Sequence, residues 1–388
     1  MKITDILTLL GGLGMFLYGM KLMGDGLELV AGSRLKSLLE KNTANPFLGV
    51  LVGIVVTGAI QSSSATTVMV VGFLNAGLLK LEQSIYIIMG ANIGTTVTSF
   101  LIGLKINAIA PVIIIVGVIF VVFVKKKFLQ HLGMVLVGFG ILFTGMDAMS
   151  EAMVPLREME AFKDLMVRFS NPVLGILAGA VLTAIIQSSS ASVGILQALA
   201  SSGVISYASS VFVLFGQNIG TCITAVLASI GTSRNAKRAT IIHLLFNIIG
   251  TVVFTTLCLV TPLLGLSLVG GVQSLTPENP AAQIANMHTL FNIVTTFLLL
   301  PLGGKLVQLA MRILPDRKES GEEGMHLAYL IPGPIHTKQE HPIGFSAMYL
   351  NQLRQELDRM LGMARQNTEV GFQAVLERNP KLLEGAEA

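Results

Sequence analysis

The sequence predicts an all-α polytopic membrane protein made of two repeats with opposite topology. Three observations support this fold class. The 388 residues are 52% hydrophobic and only 12% charged, whereas an average soluble domain is about 25% charged. Motifs recur at one constant spacing along the chain. The apolar segments fall into two lengths, one sufficient to cross a bilayer and one too short.

Charge distribution divides the chain into a membrane domain and a polar tail. Of the 48 charged residues, 19 lie in 313–388 and 29 in 1–312. We expect a first transmembrane repeat over 1–130, a second repeat with an extra helix over 131–312, and a soluble helical tail over 313–388. The basic residues lie between apolar segments, as the positive-inside effect predicts, and form no patch interleaved with aromatic residues that would suggest a nucleic-acid partner.

The repeat is visible in three motifs, each 126 residues from its copy. Aligning 45–101 with 171–227 gives 23 identities in 57 positions. The recurring pairs are Asn45-Pro46 with Asn171-Pro172, Gln61-Ser62-Ser63-Ser64 with Gln187-Ser188-Ser189-Ser190, and Asn92-Ile93-Gly94-Thr95 with Asn218-Ile219-Gly220-Thr221. We refer to the second pair as the QSSS motifs and to the third as the NIGT motifs. A duplication of this length predicts two structurally equivalent halves.

The apolar segments predict seven membrane-spanning helices and two hairpins. The predicted spans are 4–24, 82–104, 107–124, 131–152, 205–230, 239–262 and 283–312. Segments 46–79 and 172–203 each hold two arms of about 15 residues around a QSSS tip, and such an arm is about 22 Å long, too short for a hydrocarbon core of about 30 Å. We interpret both as re-entrant hairpins whose tips line an aqueous site, because non-helical backbone at membrane depth requires one.

The NIGT motifs place Gly, Asn and Thr inside apolar segments, which predicts a broken helix in each repeat. Three crossings plus one hairpin per repeat invert the second copy, and inverted repeats with broken helices are typical of secondary transporters. Basic residues such as Lys125, Lys126 and Lys127 indicate the cytoplasmic side, although Arg157, Lys163 and Arg168 oppose this orientation. The tail contains a helical pattern over 345–378.

The QSSS tips have the chemistry of an oxyanion site. Burying hydroxyls without partners costs about 1–3 kcal/mol each, and the helix that follows each tip directs unpaired N–H groups and a positive dipole end into the same place. The alternative is that these serines only permit close helix packing. The matched glutamines, Gln61 and Gln187, favour a binding site.

The NIGT motifs offer neutral oxygens that suit a hard monovalent cation such as Na⁺. They contain no carboxylate, so a tight divalent-cation site is not expected. They also contain no Lys or Arg, so the charge of a bound anion would have to be offset by helix dipoles and by cations bound with it. The alternative for these motifs is a simple helix kink.

A third pair of motifs lies 45 residues apart, His243-Leu-Leu-Phe246-Asn247 and His288-Thr-Leu-Phe291-Asn292. We refer to them as the HxxFN motifs. Intramembrane histidines are often functional, but we favour an interhelical hydrogen-bonding role here. No nucleophile elbow or phosphate-binding loop of soluble enzymes is found, and the two cysteines form no metal or disulfide pattern.

Paired QSSS motifs, each followed about 30 residues later by NIGT and then by HxxFN, resemble the type II sodium–phosphate cotransporter family in its bacterial branch. The resemblance covers roughly 4–310 and implies sodium-coupled phosphate transport with phosphate held between the tips. It implies that phosphate contacts Gln61, Ser62, Ser63, Ser64, Gln187, Ser188, Ser189, Ser190, Asn92 and Asn218. It implies that Na⁺ is bound by Gln187, Ser188, Gln217, Thr221, Thr224, Thr95 and Thr66. The tail is similar to the start of a PhoU-like bundle.

We therefore expect a non-enzymatic, sodium-coupled transporter with no organic cofactor, located in the inner (plasma) membrane with its tail in the cytoplasm. Its partners would be phosphate, sodium and the lipid bilayer, and the sequence is compatible with a homodimer. Three alternatives remain open. The first is a sodium-coupled transporter of another oxyanion, the second is an anion channel, and the third is an intramembrane enzyme with a tip serine. The enzyme would need a base, for which the sequence offers only His243 and His288.

Overall fold

The structure is a computed structural model that describes residues 2–31, 45–104, 107–155, 159, 169–316, 329 and 345–377. All regular secondary structure in these ranges is helical, which confirms the all-α prediction. Among these residues, six helical segments are long and apolar enough to cross a bilayer. The basic residues Arg157, Lys163 and Arg168, which opposed the predicted orientation, lie outside the described residues.

The helices follow the predicted repeat. The first repeat contains α1 (Ile3–Ala31), α2 (Pro46–Ile60), α3 (Ser63–Asn75), α4 (Leu81–Gly103) and α5 (Ala110–Phe123). The second repeat contains α6 (Lys127–Met153), α7 (Pro172–Ile186), α8 (Ser189–Ser201), α9 (Tyr207–Gly220) and α10 (Cys222–Ala228). The remaining helices are α11 (Arg234–Val260), α12 (Leu268–Gln273), α13 (Pro280–Leu299), α14 (Gly303–Ile313) and α15 (Phe345–Leu376).

The Asn-Pro motifs begin the first arm of each hairpin. The Asn45 side chain accepts a hydrogen bond from the N–H of Phe47 at 2.9 Å, and the Asn171 side chain accepts one from Val173 at 3.0 Å. Proline then occupies the first helical position, where its missing N–H costs nothing. Each hairpin therefore has arms of 15 and 13 residues on either side of a QSSS tip, as the sequence predicts.

The prediction of broken NIGT helices is wrong for the first repeat and overstated for the second. Helix α4 continues without interruption through Gly90 and Gly94. In the second repeat α9 and α10 are separated only by Thr221, whose backbone stays helical (φ −57°, ψ −29°) and whose N–H bonds to the Gln217 carbonyl. Glycine lowers helix propensity by only about 1 kcal/mol, and close packing against the hairpin arms compensates for it.

Two predicted spans also differ from the observed helices. Segment 107–124 forms one turn of 3₁₀-helix followed by α5, whose 14 residues are about 21 Å long. With the preceding turn it covers residues 107–123, and α5 is shorter than the six long apolar helices. Segment 283–312 divides into α13 and α14 around a 3₁₀ turn at Leu300–Leu302, because Pro301 has no N–H to continue the α-helical bonding.

The equivalent first helices of the two repeats, α1 and α6, pack against each other in an antiparallel pair. A Cβ atom at Gly12 would lie 2.9 Å from the carbonyl oxygen of Gly145, and one at Gly19 would lie 2.6 Å from that of Gly138. Gly12 and Gly19 are equivalent to Gly138 and Gly145 at the spacing of 126. The contact is therefore reciprocal, as a two-fold relation between the helices requires.

The tail helix α15 confirms the helical pattern predicted over 345–378 and contacts the membrane domain. The Asn351 side chain donates a hydrogen bond to the carbonyl oxygen of Ala76, in the turn that follows the first hairpin. Gln352 and Glu356 of α15 are buried, and Glu356 is paired with Arg359. In the same region, the Asn75 side chain accepts a hydrogen bond from Ser233, immediately before α11, at 2.7 Å.

Candidate functional site

Each QSSS tip begins with a glutamine in the left-handed conformation. Gln61 and Gln187 have φ of 58° and 57° and are the only non-glycine residues with positive φ in the described ranges. Their N–H groups still bond to the carbonyls of Thr57 and Thr183, each at 2.7 Å. A left-handed non-glycine residue costs about 1–3 kcal/mol and persists only where the surroundings impose it. Here it reverses the chain, so that only two residues separate the end of the first arm from the start of the second.

The first serine of each tip caps the second arm. The Ser62 hydroxyl oxygen accepts the N–H of Ala65 at 3.1 Å, and the Ser188 hydroxyl oxygen accepts that of Ala191 at 3.3 Å. These N-caps satisfy one of the orphan donors of each helix. The two residues were predicted as phosphate ligands, and their hydroxyl oxygens already have a structural function.

The second serine of each tip has an uncommitted hydroxyl. Ser63 and Ser189 are buried at the first position of α3 and α8. In the described part of the chain, neither side-chain hydroxyl has a protein hydrogen-bond partner. Their backbone N–H groups, at the first helical position, also lack an intrahelical acceptor. Each tip therefore presents a hydroxyl and a helix N-terminus that suit an anion.

The third serine of each tip contacts a threonine of the other repeat. The Ser190 hydroxyl lies 3.4 Å from the Thr98 Oγ1 atom, and the Thr224 Oγ1 atom lies 3.3 Å from the Ser64 hydroxyl. Thr98 also donates to the Gln61 Oε1 atom at 2.8 Å. Thr98 and Thr224 are equivalent at the spacing of 126. The two tips are thus brought together by a reciprocal pair of hydroxyl contacts.

Inside each hairpin one hydroxyl pair joins the two arms. The Thr57 Oγ1 atom donates to Thr66 Oγ1 at 2.9 Å, and the Thr183 Oγ1 atom donates to the Ser192 hydroxyl at 2.7 Å. The second hairpin has an additional partner, because the Gln217 side-chain amide donates to Ser192 at 2.9 Å. Gln217 Oε1 is buried with no protein partner among the described residues, so the side chain that bonds to this hairpin through Nε2 retains an unused acceptor oxygen.

The NIGT residues are engaged within their helices and with α11 and α13. Thr95 and Thr221 each donate to the carbonyl four residues earlier, at 2.9 Å. The side-chain oxygen of Asn92 meets the His243 ring at 3.3 Å, and that of Asn218 meets the His288 ring at 3.2 Å. The histidines therefore form the interhelical hydrogen bonds that the sequence favoured.

The structure therefore brings some predicted ligands together and separates others. One cluster, held together by the hydroxyl contacts of Thr98 and Thr224, contains Gln61, Ser64 and Ser190. The residues adjacent to this cluster in sequence are Ser63 and Ser189. Thr66 and Gln217 face the hairpin interiors, while Gln187 is exposed. Thr98 was missed, although the repeat spacing maps it onto Thr224.

Side-chain charge is absent from this cluster. Among the described residues the buried Asp, Glu, Lys and Arg side chains are Arg238 and Glu356. Arg238 bonds to the Leu314 carbonyl and to Asp316, after α14, and Glu356 lies in the tail. The recorded partners at the tips are all neutral hydroxyls, amides and backbone groups. An anion bound there would depend on helix N-termini and co-bound cations for compensation.

Comparison with known proteins gives a consistent assignment. The family model described as Na⁺/Pi-cotransporter matches residues 15–151 and 156–275. "Uncharacterized protein YqeW" of Bacillus subtilis is 36% identical over 304 residues, covering 78% of this chain and 96% of that protein. "Putative inorganic phosphate export protein YjbB" of Escherichia coli is 26% identical over 315 residues, covering 81% of this chain and 56% of that protein. This chain therefore matches little more than half the length of that relative.

A shorter match connects the chain to animal proteins. "Sodium-dependent phosphate transport protein 2B" of Homo sapiens is 36% identical over 101 residues, which is 26% of this chain and 15% of the human protein. No solved structure matches the chain at a comparable level.

Proposed function

Because the chain belongs to the Na⁺/Pi-cotransporter family, we propose that it is a sodium-coupled secondary transporter of inorganic phosphate that works by alternating access. The observation that carries this proposal is the meeting of the two QSSS tips through Thr98 and Thr224. Phosphate is held between the tips by the hydroxyls and N–H groups of Ser63 and Ser189. Gln61, Ser64 and Ser190 surround this position.

The proposal includes inverted repeats with re-entrant hairpins. The antiparallel, reciprocal packing of α1 against α6 supports the inversion. Hairpin arms of 13 and 15 residues, about 20–22 Å long, support re-entrance, because they are too short to cross. The turn at Asn75, just before α4, contacts the start of α11. At the other end of α4, the Gly103 carbonyl accepts a hydrogen bond from Asn279 at the start of α13. Because α11 is a long span that lies between these two points in the chain, the two ends of α4 face opposite sides.

Sodium provides the missing positive charge in this mechanism. Phosphate carries one to two negative charges at neutral pH, and burying them among neutral groups is costly. Na⁺ bound beside the second tip, by Gln187, Ser188, Gln217, Thr221 and Thr224, offsets that cost, with Thr95 and Thr66 as the ligands contributed by the first repeat. The unpartnered Gln217 Oε1 atom supports this placement. The loaded site then opens alternately to each side as one hairpin moves.

The same framework gives the location. We propose an inner (plasma) membrane protein with the tail in the cytoplasm. The tail helix contacts the turn at Ala76, on the side where the basic α11 terminus with Arg234, Lys237 and Arg238 also lies. The positive-inside effect places that side in the cytoplasm.

Purified protein in proteoliposomes should take up radiolabelled phosphate in a Na⁺ gradient and should lose uptake to background when K⁺ or choline replaces Na⁺. Arsenate should compete, because it shares the tetrahedral shape and protonated oxygens of phosphate. Sulfate should not compete, because it has no proton to donate to the serine oxygens. Flux that is equal in K⁺ would favour an anion channel, and equal competition by sulfate would favour a general oxyanion transporter.

Thr98→Val should raise the KM for phosphate about tenfold, because the isosteric side chain removes the hydroxyl that meets both tips and a hydrogen bond is worth about 1 kcal/mol or more. Thr224→Val should have a smaller effect, since Thr224 contacts one tip residue, Ser64 at 3.3 Å, and otherwise bonds to the Thr221 carbonyl of its own segment. The control is Thr256→Val on an exposed face of α11, with an unchanged KM. Equal KM values for Thr98→Val and the control would contradict the contribution of Thr98 to the site.

A further inference from the structure

The HxxFN motifs lie outside the 126-residue repeat, yet each serves one repeat. Phe246 of α11 packs into the apolar cluster around the first hairpin and α4, and Phe291 of α13 packs into the cluster around α8 and α9. The two histidines follow the same division. His243 meets Asn92 of the first NIGT motif, and His288 meets Asn218 of the second. Helices α11 and α13 therefore complete the two halves in the same way.

The bond between Asn218 and the Leu214 carbonyl determines which atom donates in the hydrogen bond between Asn218 and His288. Its side-chain N–H already donates to the Leu214 carbonyl at 3.0 Å, so its side-chain oxygen is the atom that faces the ring. The His288 Nε2 atom must then carry the hydrogen and donate it. In the neutral ring this leaves Nδ1 as an acceptor. Asn92 has the same arrangement, since its N–H donates to the Ile88 carbonyl at 3.2 Å.

The second ring nitrogen distinguishes the two histidines. His288 Nδ1 lies 3.0 Å from the Ser99 hydroxyl of α4, which therefore donates to it. His243 Nδ1 is buried and has no partner among the described residues. The residue equivalent to Ser99 in the second repeat is Ala225, which has no hydroxyl to offer. Among the described residues, His288 thus hydrogen-bonds to the NIGT helices of both repeats, whereas His243 hydrogen-bonds to that of the first repeat alone.

Ser99 is well placed to transmit this bond to the tips. It follows Thr98, which meets Gln61 and Ser190. The Ser99 carbonyl also accepts from the Gln197 side chain of α8 at 2.9 Å, so this turn of α4 is held from two directions. A shift of the Ser99 backbone would displace the neighbouring Thr98 hydroxyl, which contacts both tips.

We propose that His288 is a positioning residue that couples the NIGT helices of the two repeats, with Ser99 and Asn218 as its two partners. His243 positions only the first NIGT helix. This inference rests on the proposed function only because one of its two tests measures phosphate transport. Neither histidine is among the residues proposed to hold phosphate. His288 acts through Asn218 and Ser99, and His243 acts through Asn92 alone.

The test is a double-mutant cycle of His288→Gln and Ser99→Ala in the full chain. Glutamine keeps an N–H donor near the position of Nε2 but loses the acceptor that Nδ1 provides. Each single variant should raise the KM for phosphate about tenfold, and the double variant should be no worse than either, because both remove the same bond. The matched control is His243→Gln, which has no Nδ1 partner to lose and should change the KM by less than about threefold.

Melting temperatures of the same variants provide a readout that does not require transport. Non-additive shifts in melting temperature in the Ser99–His288 cycle would support the bond, whether or not the wild-type protein transports phosphate. Absence of phosphate transport by the wild-type protein would refute the proposed function but not this inference. Additive shifts, or equal KM values for His288→Gln and His243→Gln, would overturn the inference. A lower melting temperature with an unchanged KM would show that His288 is only structural and would also overturn it.

Discussion

Replacing Ser63 and Ser189 together by alanine is expected to abolish phosphate transport. Both residues are buried, and their hydroxyls have no protein partner in the described part of the chain. In the proposed function these hydroxyls bind the transported phosphate. A hydrogen bond to a charged group contributes about 1.5–3 kcal/mol, so each single substitution should lower the ratio of Vmax to KM about 10- to 100-fold. The two losses should take the double variant below detection.

The measurement is initial uptake of radiolabelled phosphate into Na⁺-gradient proteoliposomes, normalised to reconstituted protein. Thr144→Ala is a suitable control, because Thr144 is exposed on α6 and its hydroxyl bonds only to the Gly140 carbonyl of its own helix. The serine variants should fold normally, since neither hydroxyl contributes a bond to the protein. Wild-type rates in Ser63→Ala and Ser189→Ala would exclude the tips as the phosphate site.

Ser62 and Ser188 should behave differently from their neighbours. Their hydroxyl oxygens cap α3 and α8, and losing an N-cap costs about 1 kcal/mol of stability. This difference between adjacent serines could not be predicted from the sequence, where all three look alike. It depends on the backbone reversal at the left-handed Gln61 and Gln187, which decides which serine begins the helix.

The sequence predicted the two short helical arms around each QSSS motif and the Asn-Pro helix starts, because these depend on local chemistry and on a direct alignment. It failed at the first NIGT motif, whereas the second NIGT motif does lie where two helices are separated by Thr221. Gly, Asn and Thr within an apolar segment suggested a break, but Gly90 lies against the first arm of the hairpin and α4 remains continuous. The gain from packing exceeds the loss in helix propensity, and packing is not visible in a single sequence.

The contacts of the site could have been predicted from the sequence only where the symmetry of the repeat applies. Thr98 follows from Thr224 by the spacing of 126, so the sequence contained that signal. The pairing of His243 with Asn92 and of His288 with Asn218 did not follow from it, because the HxxFN motifs repeat at 45 residues and only the fold brings α11 and α13 to different repeats. Long-range contacts of this kind require the tertiary structure.

Gly53→Ala is expected to destabilise the whole first half of the protein. A Cβ atom at Gly53 would overlap the Ile87 carbonyl oxygen and lie 2.8 Å from the Ala91 backbone nitrogen. Both neighbours are backbone atoms of α4, so no side chain can rotate away and the two helices must separate. Overpacking of this kind costs up to about 3 kcal/mol. Because α4 carries Asn92 and Thr98, transport should fall together with stability.

Gly58→Ala on the same helix is the matched control, because its Cβ atom would meet only the Val97 side chain, at 3.6 Å. Helix propensity improves equally in both variants, by about 1 kcal/mol, so any difference reports the contact with α4. Gly53→Ala should lower the melting temperature in detergent and give an aggregated fraction on size exclusion, whereas Gly58→Ala should match or exceed the wild-type melting temperature. Equal melting temperatures in the two variants would mean that α2 and α4 are not in backbone contact at Gly53, and the position assigned to the first QSSS tip beside α4 would then have to be abandoned.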